Sequence, residues 1–367
     1  MIRIIFTCVL FFLSFFGQSQ TLPSIEGDGI RYCGRDFFLL EGTQIPDDQK
    51  EGFYDRLPIT YKDKVRQEVW NLSKSSAGLS LRFFSNTSIV KVRWTLLKDA
   101  KMNHMAETGI KGVDLYCREG KLWQYVNTGR SEGIENKALL VSQMNREWRE
   151  YKLYLPLYDG LVNIEIGIDS LSEIRKGTVR QDKPIVYYGT SIAQGGCASR
   201  PGMAHTNILS RVLEIDCINL GFSGNGRMEI PVGEFMSEIN ALFYVIDCVP
   251  NMNDEMIRDR AAPLVEYLRE KRPETPIVLI ASLLPEKSFL DVPLKEEVMR
   301  KNKAQKEVYQ ALKKKGIRHL YYIDNPGEKI MGHDGTVDGV HLTDLGFMKF
   351  SEYLVSQFVK QKLIIMK

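Results

Sequence analysis

Four short stretches of this 367-residue sequence hold residue types that could act together on a carbonyl group. The first is Tyr188-Gly189-Thr190-Ser191, a serine placed directly after an apolar run, with Gly195-Gly196 shortly beyond it. A serine hydroxyl becomes a nucleophile when a neighbouring base takes its proton. Such a base stands near the C-terminus in Thr336-Val337-Asp338-Gly339-Val340-His341-Leu342-Thr343, where an aspartate three residues before a histidine can share its loop. A carboxylate that accepts from one ring nitrogen fixes the tautomer and leaves the other nitrogen for the serine. The remaining stretches are Asn219-Leu220-Gly221-Phe222-Ser223-Gly224-Asn225-Gly226 and Asp247-Cys248-Val249-Pro250-Asn251-Met252. Backbone N–H groups of a glycine-rich loop and an asparagine side chain are suited to donate to the oxyanion of a tetrahedral intermediate.

Each stretch alone also has a structural explanation. A serine at a helix start is commonly an N-cap, and glycine-rich loops are ordinary turns. A phosphate-binding loop competes for the first stretch, but neither GxxxxGK[ST] nor GxGxxG follows it, and Phe222-Ser223-Gly224-Asn225 stands where a dinucleotide site would want an acidic residue. The G-x-S-x-G elbow is also absent. Cys197 is a rival nucleophile because it lies close to the serine loop. Arg200, His205 and Arg227 are candidate substrate contacts, with carbonyl or carboxylate pairing open to both arginines. His333 and Asp334 read as exposed loop residues, the histidine close enough in sequence to border the site.

The elements that must position these residues follow from apolar periodicity. Beyond about residue 180, buried runs at 185–188, 217–222, 241–249, 277–284 and 320–323 alternate with amphipathic stretches near 202–213, 254–271, 294–315 and 343–359. Pro263 marks a kink or interruption in the second of these helices. The pattern predicts an open, mostly parallel sheet covered on both faces, whose ligands lie beyond the carboxyl ends of the strands. The serine and both glycine- and asparagine-bearing loops fall at those ends.

Before residue 170 the period is two. Leu79, Leu81 and Phe83, then Val90, Val92 and Trp94, alternate with polar neighbours, and further runs at 113–116, 153–157 and 162–168 are separated by turn residues. This predicts a β-sandwich of about 140 residues. The polar stretch 170–184 reads as a linker, dividing the chain into 20–180 and 181–367.

Composition bounds the function classes. With 44% apolar and 26% charged residues the chain should fold, and 49 basic against 46 acidic side chains argue against nucleic acid as a partner. Lys313, Lys314 and Lys315 complement the carbonyl end of a helix. Arg3, the apolar run 4–16, and Gly17 and Ser19 before Gln20 read as a leader, residues 1–19, of a secreted or periplasmic protein. No later segment reaches membrane-spanning length, and Cys8 lacks the context of a lipid-attachment site. The other five cysteines form no disulfide framework, though a single disulfide among them stays open, and without a CxxC pair or clustered histidines neither a structural zinc site nor another metal site is expected.

The blocks GTS at 189–191, NLGFSGNG at 219–226, DCVPNM at 247–252 and VDGVH at 337–341 together resemble, in order and spacing, those of the SGNH (GDSL-like) hydrolases. The resemblance implies Ser191 as nucleophile, His341 as base and Asp338 as its orienting carboxylate. It further implies an oxyanion hole made by the Ser191 amide, Gly224 and Asn251. Thr190 replaces the aspartate of the family's Gly-Asp-Ser, and Val-Pro-Asn-Met replaces Gly-x-Asn-Asp, without removing a triad member. Gly112-Val113-Asp114-Leu115-Tyr116 matches the Gly-x-Asp-Leu-Tyr marker of the N-terminal domain found in one bacterial branch, where Asp114 and Tyr116 would be structural.

The likeness implies a three-layer α/β/α flavodoxin-like domain preceded by a jelly-roll-like β-sandwich, and a cofactor-free esterase working through an acyl-enzyme. The pairing resembles esterases that deacetylate polysaccharides, so an acetylated glycan is the expected substrate. Lipase-like or thioesterase activity on longer chains is the alternative, disfavoured by the lack of an apolar lid segment after the leader. A non-catalytic glycan-binding protein is the alternative of another class, against which the intact Ser191, Asn251, Asp338 and His341 argue.

Overall fold

The computed structural model describes residues 23–327 and 332–365; the expected leader lies outside the described residues. Period-two alternation yields ten strands: β1 (Ile30–Cys33), β2 (Leu39–Glu41), β3 (Ser80–Ser85), β4 (Val90–Leu96), β5 (Val113–Glu119), β6 (Leu122–Gly129), β7 (Glu135–Val141), β8 (Arg149–Tyr154), β9 (Leu161–Asp169) and β10 (Ile174–Lys176). They form two antiparallel sheets, ordered β1-β9-β4-β7 and β10-β3-β8-β5-β6, with β2 paired to β3. Leu81, Phe83, Val92, Trp94, Leu153 and Ile166 fill the core between them, as aligned inward faces of a sandwich require. Two helices interrupt the strands, α1 (Gln67–Ser73) and the short α2 (Glu107–Ile110).

The second half builds one sheet of five parallel strands, β11 (Ile185–Gly189), β12 (Cys217–Gly221), β13 (Phe243–Asp247), β14 (Ile277–Ile280) and β15 (Leu320–Ile323), in the order β12-β11-β13-β14-β15. Its helices are α3 (Ser191–Gln194), α4 (His205–Leu213), α5 (Ile230–Glu238), α6 (Asp254–Lys271), α7 (Val292–Lys314) and α8 (Asp344–Lys360). Val186 and Tyr188 of β11 pack with α5, α6 and α7, whereas Ile185 and Tyr187 pack with α4 and α8. Both faces are covered, giving the three layers expected of continuous apolar strands. The chain leaves β11 toward β12 on one side and returns to β13 on the other, so the carboxyl end of β11 is the point where strand order reverses. Ligands of open α/β sheets bind at that point. None of the helices among the described residues is long and apolar enough to cross a membrane.

Several boundaries differ from expectation. The helix expected from 202 begins at His205, after a 3-10 turn over Pro201–Met203. Pro263 does not interrupt α6, which runs unbroken through it. The unforeseen α5 carries Pro231 in its first turn, where the missing N–H costs nothing, and burial of Val232, Phe235 and Met236 offsets its Gly233.

Packing also crosses the expected boundary near 180. Ile45, Leu57, Tyr61, Val65, Val69 and Trp70, from a segment read as sandwich, are buried in one cluster with Val232, Phe235 and Leu220 of the parallel-sheet half. Ala77, Met105, Ile110 and Leu157 likewise join Ile192, Ile208 and Phe347 in another. Burying a large apolar side chain contributes roughly 1.5–3 kcal/mol each. Two of the three cores are therefore shared by both halves.

A polar clamp adds to this. Asp114 of β5, fully buried, accepts from Arg200 Nη1 at 2.8 Å, the Gly202 N–H at 2.9 Å and the Thr128 hydroxyl at 2.7 Å. The same Arg200 nitrogen donates to the Tyr116 hydroxyl at 2.6 Å, and the guanidinium covers the Tyr125 ring with its carbon 3.9 Å from the centroid. Asp114→Ala leaves an uncompensated, largely buried guanidinium and an orphaned Gly202 N–H. We expect a loss of roughly 3 kcal/mol, read as a lowered midpoint in urea unfolding.

Candidate active site

Ser191 opens α3 immediately beyond β11. Its loop is fitted closely to the loop after β12: a Cβ on Gly226 would lie 2.0 Å from the Gly189 carbonyl oxygen, so only glycine permits the approach. Gln194 ties the two loops, its Oε1 accepting from Ser223 N at 3.0 Å and its Nε2 donating to the Leu157 carbonyl at 3.1 Å. Asn219 donates from Nδ2 to the Ala193 carbonyl at 2.6 Å and to the Thr206 hydroxyl at 2.9 Å.

The histidine and aspartate occupy a tight turn before α8. Val337 N donates to the His341 carbonyl at 2.8 Å, and the Asp338 Oδ1 accepts from Val340 N at 3.0 Å and His341 N at 2.8 Å. The DxxH spacing thus folds the carboxylate back onto its own histidine. Asp338 Oδ2 lies 2.7 Å from His341 Nδ1, and His341 Nε2 lies 2.9 Å from the Ser191 Oγ. Burial raises the Asp338 carboxyl, but the His341 and Val340 N–H groups and the His341 ring outweigh it and hold it down at about 2. The carboxylate is therefore ionised wherever the protein would work, and it favours the imidazole tautomer with Nδ1–H, whose free Nε2 can take a hydroxyl proton.

The other residues expected to donate to an oxyanion lie in the loops that follow β12 and β13. Gly224 is exposed and has φ +68°, a left-handed conformation that turns its peptide without strain. Its N–H and that of Ser191 have no acceptor among the described residues, whereas the neighbouring Ser223, Asn225 and Gly226 amides are all bonded. Asn251 ends the turn after β13. Oriented by its hydrogen bonds, its side-chain oxygen accepts from Asn225 N at 3.0 Å and Gly226 N at 3.2 Å. That leaves Nδ2 as the outward donor. Asn251→Ala is expected to lower kcat on a short ester by about 10²–10³-fold with little change in KM, as for loss of one oxyanion donor; steady-state kinetics check it.

The three expected substrate contacts fare differently. Arg200 is engaged by Asp114 and Tyr116, so it joins the halves. His205 is a core residue: it is fully buried against Tyr187, Phe347 and Phe350, and neither ring nitrogen has a well-formed hydrogen bond among the described residues. Burial drives its pKa down to about 3, against a smaller opposing pull from the Ile192 backbone. Arg227 does lie at the site, its Nε donating to the Gly224 carbonyl at 3.2 Å.

Cys197 is buried, and burial followed by the Asp338 charge pushes its thiol up to about 12. It stays a thiol at neutral pH, a poor nucleophile beside Ser191. His333 and Asp334 lie off the triad, the histidine exposed with Nδ1 3.3 Å from Glu286 Oε2.

Two residues at the site carried no sequence signal. His104, ahead of α2, reaches His341 with ring centroids 5.5 Å apart. Arg56 is buried and donates to the Ser75, Asn219, Gly221 and Leu72 carbonyls at 2.7–3.1 Å, fastening the end of β12 that leads to Gly224. Each is an isolated charged or titratable residue in an unpatterned stretch, and only the fold gives it a partner.

Comparison with known proteins agrees with this architecture. Residues 182–359 match the model of the GDSL-like Lipase/Acylhydrolase family, and residues 34–174 match that of the N-terminus of the SGNH-hydrolase-type esterases. A GDSL-like lipase from Bacteroides ovatus, solved by crystallography, is 36% identical, with TM-score 0.87 over 92% of this chain and 99% of that one. A salicylyl-acyltransferase from a tetracycline biosynthetic pathway shares the fold at 15% identity, with TM-score 0.76 over 93% and 100% of the two chains. An acetyl xylan esterase from Butyrivibrio proteoclasticus does so at 10% identity, with TM-score 0.55 over 92% and 100%. None of the curated proteins matches the chain.

Proposed function

The chain belongs to the GDSL-like lipase/acylhydrolase family of ester-hydrolysing enzymes, and from that premise we propose that it is a secreted serine esterase that removes small acyl groups, acetyl first among them, from carbohydrate. Ser191 attacks the ester carbonyl while His341 Nε2 takes the hydroxyl proton. The Ser191 and Gly224 N–H groups and Asn251 Nδ2 hold the oxyanion, and His341 gives its proton to the departing sugar oxygen, which leaves as a hydroxyl. Water then enters, gives a proton to His341 and releases the acid, restoring the serine. The observation that carries this reading is the unbroken relay of 2.9 Å from Ser191 Oγ to His341 Nε2 and 2.7 Å from His341 Nδ1 to Asp338 Oδ2.

Support for the carbohydrate comes from polar groups beside the relay: Arg227, on the Gly224 carbonyl, and His104, against the His341 ring, are suited to a hydroxyl-rich leaving group. The acetyl xylan esterase with the same fold is consistent with it. Export rests on the leader composition of residues 1–19.

The test is acetate release from a panel of acetylated glycans, run beside nitrophenyl esters of rising chain length. Release from a glycan, with nitrophenyl acetate turned over faster than longer esters, is the expected result. Faster turnover of the long esters and no acetate from any glycan would replace this reading with a lipase-like one. Glycan binding without turnover of any ester would make the chain a binding protein.

A further inference from the structure

A second histidine and a cysteine lie beside the ring of His341. One nitrogen of His104, the Sγ of Cys197 and one nitrogen of His341 all lie within 4.8 Å of one another. They arrive from three separate segments: the loop before α2, the loop after α3 and the turn before α8. Both imidazoles are already oriented by their second nitrogen. Asp338 Oδ2 holds His341 Nδ1 at 2.7 Å, and Asn103 Oδ1 lies 3.1 Å from His104 Nδ1. An acceptor on Nδ1 fixes the tautomer that leaves the Nε2 lone pair outward, the arrangement usual for metal-ligating histidines.

We infer that His104, Cys197 and His341 form an inhibitory binding site for a borderline-soft divalent cation such as zinc. Two imidazole nitrogens and a thiolate suit zinc, and neither magnesium nor calcium, which take oxygen ligands. At usual zinc bond lengths, tetrahedral ligands sit roughly 3.5 Å apart, so the widest pair, within 4.8 Å, must close by about 1 Å. Binding exchanges the Cys197 S–H bond for an S–Zn bond and releases one proton to solvent. The His341 Nε2 lone pair is then spent on the ion and cannot accept the Ser191 proton. A fourth position stays open to water or to the Ser191 oxygen.

The inhibition rests on His341 acting as the base, so the experiment separates binding from activity. Chelator-washed full-length mature protein is titrated with zinc chloride by calorimetry, and esterase rates are read over the same zinc range, with magnesium and calcium as controls. The expected result is one zinc per chain, inhibition reversed by a chelator, and no response to the controls. His104→Gln and Cys197→Ser should each weaken zinc binding and inhibition more than about 10-fold, taken relative to each variant's own metal-free rate. Ser191→Ala should still bind zinc, so a failure of the esterase reading would leave that arm intact. Wild-type sensitivity in both ligand variants, no zinc bound, or activation by zinc would each overturn the site.

Discussion

Ser191→Ala is expected to lower kcat/KM on nitrophenyl acetate by at least about 10³-fold, and to abolish labelling by a fluorophosphonate probe while leaving the urea midpoint unchanged. The size follows from the relay. With the hydroxyl gone, His341 has no group to deprotonate and no acyl-enzyme can form; what persists is the background that oxyanion donors and substrate positioning give to direct water attack. Because Ser191 is only half-buried at the start of a four-residue helix, removing one oxygen disturbs little packing. Mass spectrometry of the labelled wild type should find the adduct on Ser191. An adduct on Cys197, or undiminished turnover by the variant, would sink the assignment.

Asp338→Asn is the second large effect. Its carboxylate accepts three hydrogen bonds, from Val340 N, His341 N and His341 Nδ1. An asparagine can keep the two backbone bonds through its oxygen, yet it turns an N–H toward His341 Nδ1. The ring then favours the tautomer with its proton on Nε2, where the serine needs a lone pair. Such a swap, with geometry retained, costs about 10⁴-fold in kcat in the serine-protease triad, and a loss of about 10³–10⁴-fold is expected here. KM should change little. A variant within tenfold of the wild type would mean that the 2.7 Å contact orients nothing of consequence.

The grouping of Ser191, His341 and Asp338 was legible for a physical reason. Each of these blocks sits where an apolar strand stops or where a terminal helix begins, and those transitions are visible in one dimension; Tyr188 to Ser191 is such a place, and so is His341 before the helix capped by Thr343. The five parallel strands were legible because four are buried along their whole length and the edge strand β15 keeps buried ends, so all read as continuous apolar runs. What lay hidden depends on partners far along the chain. Arg200 looks like a free cation until Asp114, 86 residues earlier, is seen to hold it. His205 looks titratable until Phe347 and Phe350 of α8 close over it. The segment carrying Leu57, Val69 and Trp70 has no strand period, and nothing local says that it belongs against α5. Helix α5 was missed because it is short and carries Gly233 in its interior, which argues against a helix locally while tertiary burial argues for it.

The sharing of two cores has a consequence for how this molecule could be taken apart. An excised fragment spanning only 181–367 would keep Ser191, Asp338 and His341, yet one flank of its sheet would be stripped of Leu57, Tyr61, Val69 and Trp70, and Arg56 would no longer fasten the strand end that presents Gly224. Such a piece would carry a sticky greasy face and a slack donor loop. Catalysis and solubility here are properties of the undivided polypeptide, and the β-rich half is part of the enzyme's chassis, not a detachable passenger.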